Sequence, residues 1–353
     1  MDATFQAALQ PVVDGVMSEH GVPGMVIVAQ QRGQAPHYFV TGSDAQGNLL
    51  TKDYLLPIAS IGKLAVALAV LRLKERGDLG LDEPLGEHLA EVVAAHPGLT
   101  LRTLLCHTSG YPFYYSFEDF PYTADFTWEQ MKAACKQTEL EVETGSRVGY
   151  SELNCILLAA VVEEKMGMGI YEALQTLVFK PLGIEAYLGM LPPRPVAYVI
   201  NDESPLNGTP LEQYNSDFHR QLENPSDGIM TTAEGSLKLV GAFIDDEGGF
   251  LSAATLAEAR RNQVGDLGGG FIGLMEWPWC PWGLGPQLAT EEPPHPAAGS
   301  LSHMGLSGCL AWASPAMGLT LSVHGTKALT SWFGTLENVM GAAMMAVMAD
   351  SSG

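Results

Sequence analysis

"YLLPIASIGKLAVALAVL", residues 54–71, holds a single charge, Lys63, among eighteen residues. An unpaired ammonium is costly inside apolar packing, so this lysine must be paired, neutralised or able to reach water. Ser60 precedes it by three positions, one helical turn away on nearly the same face. Pro57, Ser60, Gly62 and Lys63 interrupt the run, and its small residues suit close packing, so it reads as a buried core helix and not a membrane span. Its C-terminal stop is Gly77, after Arg76.

The chain of 353 residues is long enough for one large domain with a sizeable core. It is 46% hydrophobic and 16% charged, as ordinary globular proteins are. A net charge of −22 argues against nucleic acid and anionic membrane surfaces as partners. Five scattered cysteines, Cys106, Cys135, Cys155, Cys280 and Cys309, show no metal-ligand spacing and read as free thiols; no metal or other cofactor is expected. The opening MDATFQAALQPVVDGVM lacks a basic stretch followed by an apolar one, which predicts a cytoplasmic protein. A periplasmic or secreted protein that had shed its leader would begin the same way.

Along the chain, residues 3–19 read as an amphipathic helix broken or kinked near Pro11. GMVIVAQQ and HYFVTG read as a β-hairpin. Helical signals recur at 60–76, in TLRTLLCHTSGYP as a short helix ending in a Ser-Gly turn, at 128–138, 151–166, 170–179 and in TTAEGSLKLVGAFIDD, which Thr231 or Thr232 can cap. SLSHMGLSGCLAWA and GLTLSVHGT read as two late strands, and residues 331–348 as a closing helix. Strands at both ends with helices between predict a sheet built from both termini and a helical insertion.

Three elements carry candidate chemistry. Ser60-Ile61-Gly62-Lys63 places a hydroxyl at a helix start, where amides and the positive end of the dipole face whatever it attacks. Desolvation would lower the Lys63 pKa toward use as a base. On these residues alone, a reactive pair and a capping serine beside a snorkelling lysine are equal readings. Tyr150, in Gly-Tyr-Ser before a helix, could act as a base if an ammonium held its phenolate. Ser302-His303-Met304-Gly305-Leu306 lies on a strand where the glycine admits close backbone approach. Gly268, Gly270 and Gly273 formally match a dinucleotide-loop pattern, but they sit in an extended Gly-rich loop and are discounted.

The order Ser-x-x-Lys, Tyr, His-x-Gly, with TLRTLLCHTSGYP, FKPLGI, NPSDGIMTTAEGSLKLV and WGLG between, resembles the serine β-lactamase and penicillin-binding-protein superfamily. The nearest branch holds class C β-lactamases, β-lactamase-fold esterases and D-amino-acid-specific peptidases. The resemblance implies one α+β, β-lactamase/transpeptidase-like domain over 1–353: an antiparallel sheet region (1–58 plus 245–353) and a mainly helical region (59–244). It implies Ser60 as the acylated nucleophile, Lys63 and Tyr150 sharing its proton, and the amides of Ser60 and Leu306 as the oxyanion hole. It sets His303, Gly305, Glu152 and Asn154 at the substrate and gives His107 a structural part.

Two departures bear on substrate. Many members read Tyr-x-Asn where this chain has Tyr150-Ser151-Glu152, with Asn154 two positions late. His303 stands where many relatives carry lysine, which removes a cation for a substrate carboxylate. The expected activity is therefore a carboxylesterase acting on small esters or amides. The alternatives are a D-amino-acid peptidase or amidase, a weak β-lactamase, or a noncatalytic protein that keeps the fold. The aromatic runs at 111–128 and 277–282 are expected to line an acyl pocket.

Overall fold

A computed structural model describes residues 3–246, 249–271, 275–290 and 297–350. Helix α1 (Ala3–His20) is continuous through Pro11. Strands β1 (Gly24–Gln31) and β2 (His37–Gly42) form the predicted hairpin. Later come β3 (Gln287–Leu288), β4 (Leu301–Gly305), β5 (Cys309–Ser314) and β6 (Leu319–Gly325). The antiparallel sheet has the order β2-β1-β6-β5-β4-β3, so β1 pairs with β6 from the far end of the chain, Met25 opposite Gly325.

The stretch read as one strand, SLSHMGLSGCLAWA, is two, because Leu306-Ser307-Gly308 reverses the chain between β4 and β5. Alternating residues of β1 explain its apolar composition. Met25 and Ile27 pack on one face with Phe5, Leu9 and Val339, whereas Val26 and Val28 pack on the other with Ala233 and Leu237. A sheet covered on both faces needs apolar residues at successive positions.

The helical region centres on α2 (Gly62–Arg76), α3 (Leu101–Leu105), α4 (Trp128–Gln137) and α5 (Glu152–Met166). In α2 every residue from Gly62 to Leu71 is buried, which is why its sequence has no polar stripe. Gly77 ends it in a left-handed conformation, its amide bonding back to Leu73 and Lys74 carbonyls. Helix α6 (Ala233–Gly241) is capped by Thr232, whose side chain accepts from the Gly235 amide. It lies on the sheet, where Ser322 Oγ donates to Ala233 O at 2.8 Å, although the sequence places 233–241 in the helical region. Helix α7 (Leu336–Asp350) covers the opposite face with α1. No helix among the described residues is long and apolar enough to cross a membrane.

Candidate active site

Ser60 sits in a tight turn, Ala59–Ile61, directly before α2. Ala59 adopts φ +44°, a strained value for a residue with a Cβ, and so fixes the entry to the turn. Two glycines let neighbouring backbone close on it. A Cβ on Gly305 would meet Ile58 O at 2.6 Å and Cys309 Sγ at 2.5 Å; one on Gly62 would meet Pro225 O at 2.5 Å. The β4–β5 hairpin is then fastened to the turn, since Ser307 Oγ donates to Pro57 O at 2.7 Å and Cys309 Sγ–H to Ile58 O at 3.2 Å. Strand β4 is thereby laid against the serine.

Lys63 answers the question its sequence raises. Its Nζ donates to Ser60 Oγ at 2.8 Å, to both Glu152 oxygens at 2.8 and 2.9 Å, and to the Ser226 carbonyl at 3.0 Å. Ser60 makes no side-chain cap at the start of α2, so the arrangement is not a capping serine beside a snorkelling lysine. Only 5% of Lys63 is exposed. Burial pulls its pKa down, yet the Glu152 carboxylate, helped by Tyr150 and Cys155, outweighs that and the pKa rises. The expected lowering is therefore reversed, and the reason is the carboxylate that replaces asparagine. Burial in turn pushes the Glu152 carboxyl up, against the pull of Lys63.

Tyr150 immediately precedes the Ser151 cap of α5. Its ring stacks on His107 at 4.5 Å and lies 5.2 Å from Lys63 Nζ. Burial raises its phenol pKa, while Lys63 and a hydrogen bond with Ser60 draw it back in part; the group rests as a neutral phenol. His303 is also neutral. Burial and Lys63 push its pKa down to about 3, and its Nδ1 bonds the Met304 carbonyl at 2.9 Å. Its buried Nε2 has no hydrogen-bond partner among the described residues, and its ring lies 6.0 Å from Tyr150.

Ser60, Lys63, Tyr150, Glu152, His303 and Gly305 thus converge from three chain segments, and Leu306 follows directly in the hairpin turn. Two of the expected substrate residues are held by other partners. Asn154 is buried away from the serine, its amide facing His107 Nδ1 at 2.9 Å and its oxygen accepting from Ser109 at 2.6 Å. Both Glu152 oxygens accept from Lys63. The aromatic run also divides: Tyr111, Tyr115, Phe126 and Trp128 are core, while half-exposed Phe113 borders a cleft of about 320 Å³ with Gly110, Val142, Gly149 and Tyr150. Trp282 is buried edge-on to His107. Of the discounted glycines, Gly270 belongs to a short strand paired with Val148–Gly149, and Gly273 lies outside the described residues.

Sequence reading missed the Ser226 carbonyl, a backbone acceptor with no side-chain signature. Asn224 holds it, its Oδ1 accepting from the Ser226 amide and hydroxyl while its Nδ2 donates to Asp227. The polar run Asn224-Pro-Ser-Asp227 was the available signal.

A serine and a lysine at the foot of a buried helix, a tyrosine just before a second helix and a strand carrying His-x-Gly come together here. The sequence profile of the Beta-lactamase family matches residues 3–339, and the chain belongs to that family. It is 29% identical over 339 residues to esterase EstB of Burkholderia gladioli, covering 86% of this chain and 84% of that one. It is 27% identical over 187 residues to penicillin-binding protein 4* of Bacillus subtilis (strain 168), covering 50% of this chain and 40% of that protein. Among solved structures it resembles EstCE1, a hydrolase with promiscuous acyltransferase activity (TM-score 0.76, 20% identity, 96% and 98% of the two chains). It also resembles D-amino acid amidase from Ochrobactrum anthropi SV3 (TM-score 0.72, 18% identity, 98% and 99%). At these identities the structural likeness speaks to fold alone.

Proposed function

We propose that this protein is a serine hydrolase that forms an acyl-enzyme at Ser60 and acts as a carboxylesterase on small esters without a carboxylate next to the scissile bond. The observation that carries the reading is the buried Ser60–Lys63 contact at 2.8 Å with the Tyr150 phenol beside it. Ser60 Oγ attacks the acyl carbon, and the amides of Ser60 and Leu306 hold the developing oxyanion. Such a donor is worth about 10²–10³ in rate. Lys63 and Tyr150 move the proton from Oγ to the leaving oxygen, and water then releases the acyl group. The likeness to esterase EstB over most of both chains favours ester over β-lactam. The site's charges point the same way: His303 is neutral and Lys63 is neutralised by Glu152, which leaves neither as a free cation for a carboxylate.

The test is turnover of short p-nitrophenyl esters, a chromogenic cephalosporin and D-alanyl amides by wild type and Ser60→Ala. Ester turnover that Ser60→Ala abolishes is expected. Absence of turnover, with no covalent labelling of wild type by a fluorophosphonate, would remove every hydrolase reading.

A further inference from the structure

We propose that Glu152 is the proton acceptor that makes Lys63 a base, so that the reacting set is Ser60–Lys63–Glu152, with the neutral Tyr150 phenol beside it. The assignment rests on the hydrolase reading above and concerns how that site is activated. An ammonium has three N–H groups and no lone pair, and those of Lys63 point at Ser60 Oγ, Glu152 and the Ser226 carbonyl. In that state Lys63 cannot receive the serine proton; it must first give one up. Of its three acceptors only the carboxylate is basic enough to keep a proton. Glu152 is 6% exposed, and where water is excluded a neutral amine–acid pair competes with the ion pair because charge separation loses its solvation.

The step balances. As substrate displaces water, a proton passes from Nζ to a Glu152 oxygen. The amine turns about Cε–Nζ to bring its lone pair to Ser60. The Oγ–H bond breaks toward Nζ as the Oγ–acyl carbon bond forms, and the carbonyl π pair moves onto oxygen. On collapse the bond to the leaving oxygen breaks, that oxygen takes a proton from Lys63, and Glu152 returns its own proton to the amine.

The titratable groups facing Glu152 are Lys63 from α2, Cys135 from α4, Tyr150 just before α5, Cys155 within it, and Tyr114 and Asp227 from flanking loops. Tyr214 acts from further off. Burial holds the tyrosine and cysteine groups protonated at neutral pH, and Asp227 is engaged with Asn224 and His219. Glu152 is the carboxylate that Lys63 touches.

The decisive variant is Glu152→Gln, which keeps a hydrogen-bond acceptor for Lys63 but cannot take its proton. We expect kcat at neutral pH to fall by about 10² or more, as loss of a general base does. KM should hardly change. Glu152→Asp should keep the wild-type pH profile. Wild-type kcat and profile in Glu152→Gln would reduce the residue to a tether, and a faster variant would make it a restraint; either overturns the assignment. Should Glu152→Gln fail to fold, the pH dependence of fluorophosphonate labelling of wild type decides. A rate that falls on acidification through carboxylate ionisation supports the relay; a rate that only climbs through the alkaline range overturns it. Absence of any Ser60-dependent labelling overturns the hydrolase reading together with this assignment, whereas labelling with an unaffected Glu152→Gln overturns this assignment alone.

Discussion

Gly305→Ala tests whether β4 and the nucleophile turn are one mechanical unit. The added methyl would lie 2.6 Å from Ile58 O, 2.5 Å from Cys309 Sγ and 3.1 Å from Ala59 Cβ. Ordinary contact begins near 3.4 Å, so the Ile58 carbonyl would have to retreat by 3.4 − 2.6 = 0.8 Å. That carbonyl is two residues from Ser60 and accepts from both Cys309 Sγ and the Ile61 amide, so it cannot retreat alone. Overpacking of this kind costs about 1–3 kcal/mol. A displacement of about 1 Å at a reacting group costs about 10²-fold in rate. We therefore expect a melting temperature lower by a few degrees and a kcat for a p-nitrophenyl ester lower by about 10–100-fold. Steady-state kinetics and a thermal melt on the same preparation read both. A variant that melts early yet turns over at the wild-type rate would show that the strand yields without moving Ser60, and would refute the coupling.

Two further outcomes follow from His303 and His324. His303→Lys should place a cation where the neutral imidazole now stands, and a lower KM for a chromogenic cephalosporin relative to wild type checks it; an unchanged KM would mean that this position does not face the substrate carboxylate. Both buried histidines have pKa values pushed down to about 3, His324 by burial alone. The unfolded chain therefore binds protons near pH 6.5 that the folded chain refuses. Their contribution to stability is present above that pH and is lost as pH falls toward 3, at about 1.4 kcal/mol per pH unit for each group. Urea midpoints between pH 7 and 4 should fall less steeply in His324→Phe than in wild type, and equal slopes would refute the assignment.

The site was legible where chemistry is written in side chains. Ser60, Lys63, Tyr150 and His303 could be picked out because their types and order are informative, and the periodicity of α2 and α5 placed three of them at helix starts. Asn154 was misplaced for a geometric reason. Two residues along a helix turn the side chain by about 200°, so a residue beside Glu152 in sequence faces away from it in space. The direction of the Lys63 shift was hidden too, because desolvation is readable from an apolar run but the partner that reverses it lies 89 residues on. In the fold, the break between β4 and β5 was signalled by Gly308, which takes φ +100°. Hydrophobic content alone ran the two strands together. The strain at Ala59 has no counterpart in the sequence, since it is imposed by packing.

The pairing of β1 with β6 also sets an order in time. Strand β1 leaves the ribosome nearly three hundred residues before its partner, Met25 waiting for Gly325, and the hairpin that fastens the Ser60 turn through Ser307 and Cys309 emerges just ahead of β6. Helices α2 to α5 can collapse on one another meanwhile. Strand β1 keeps an open edge until synthesis is nearly complete, and such long-range closure is slow and exposed to aggregation. The proposed hydrolysis would therefore be a property of finished molecules only: a nascent chain stalled before residue 301 would carry its serine and lysine without the strand that faces them.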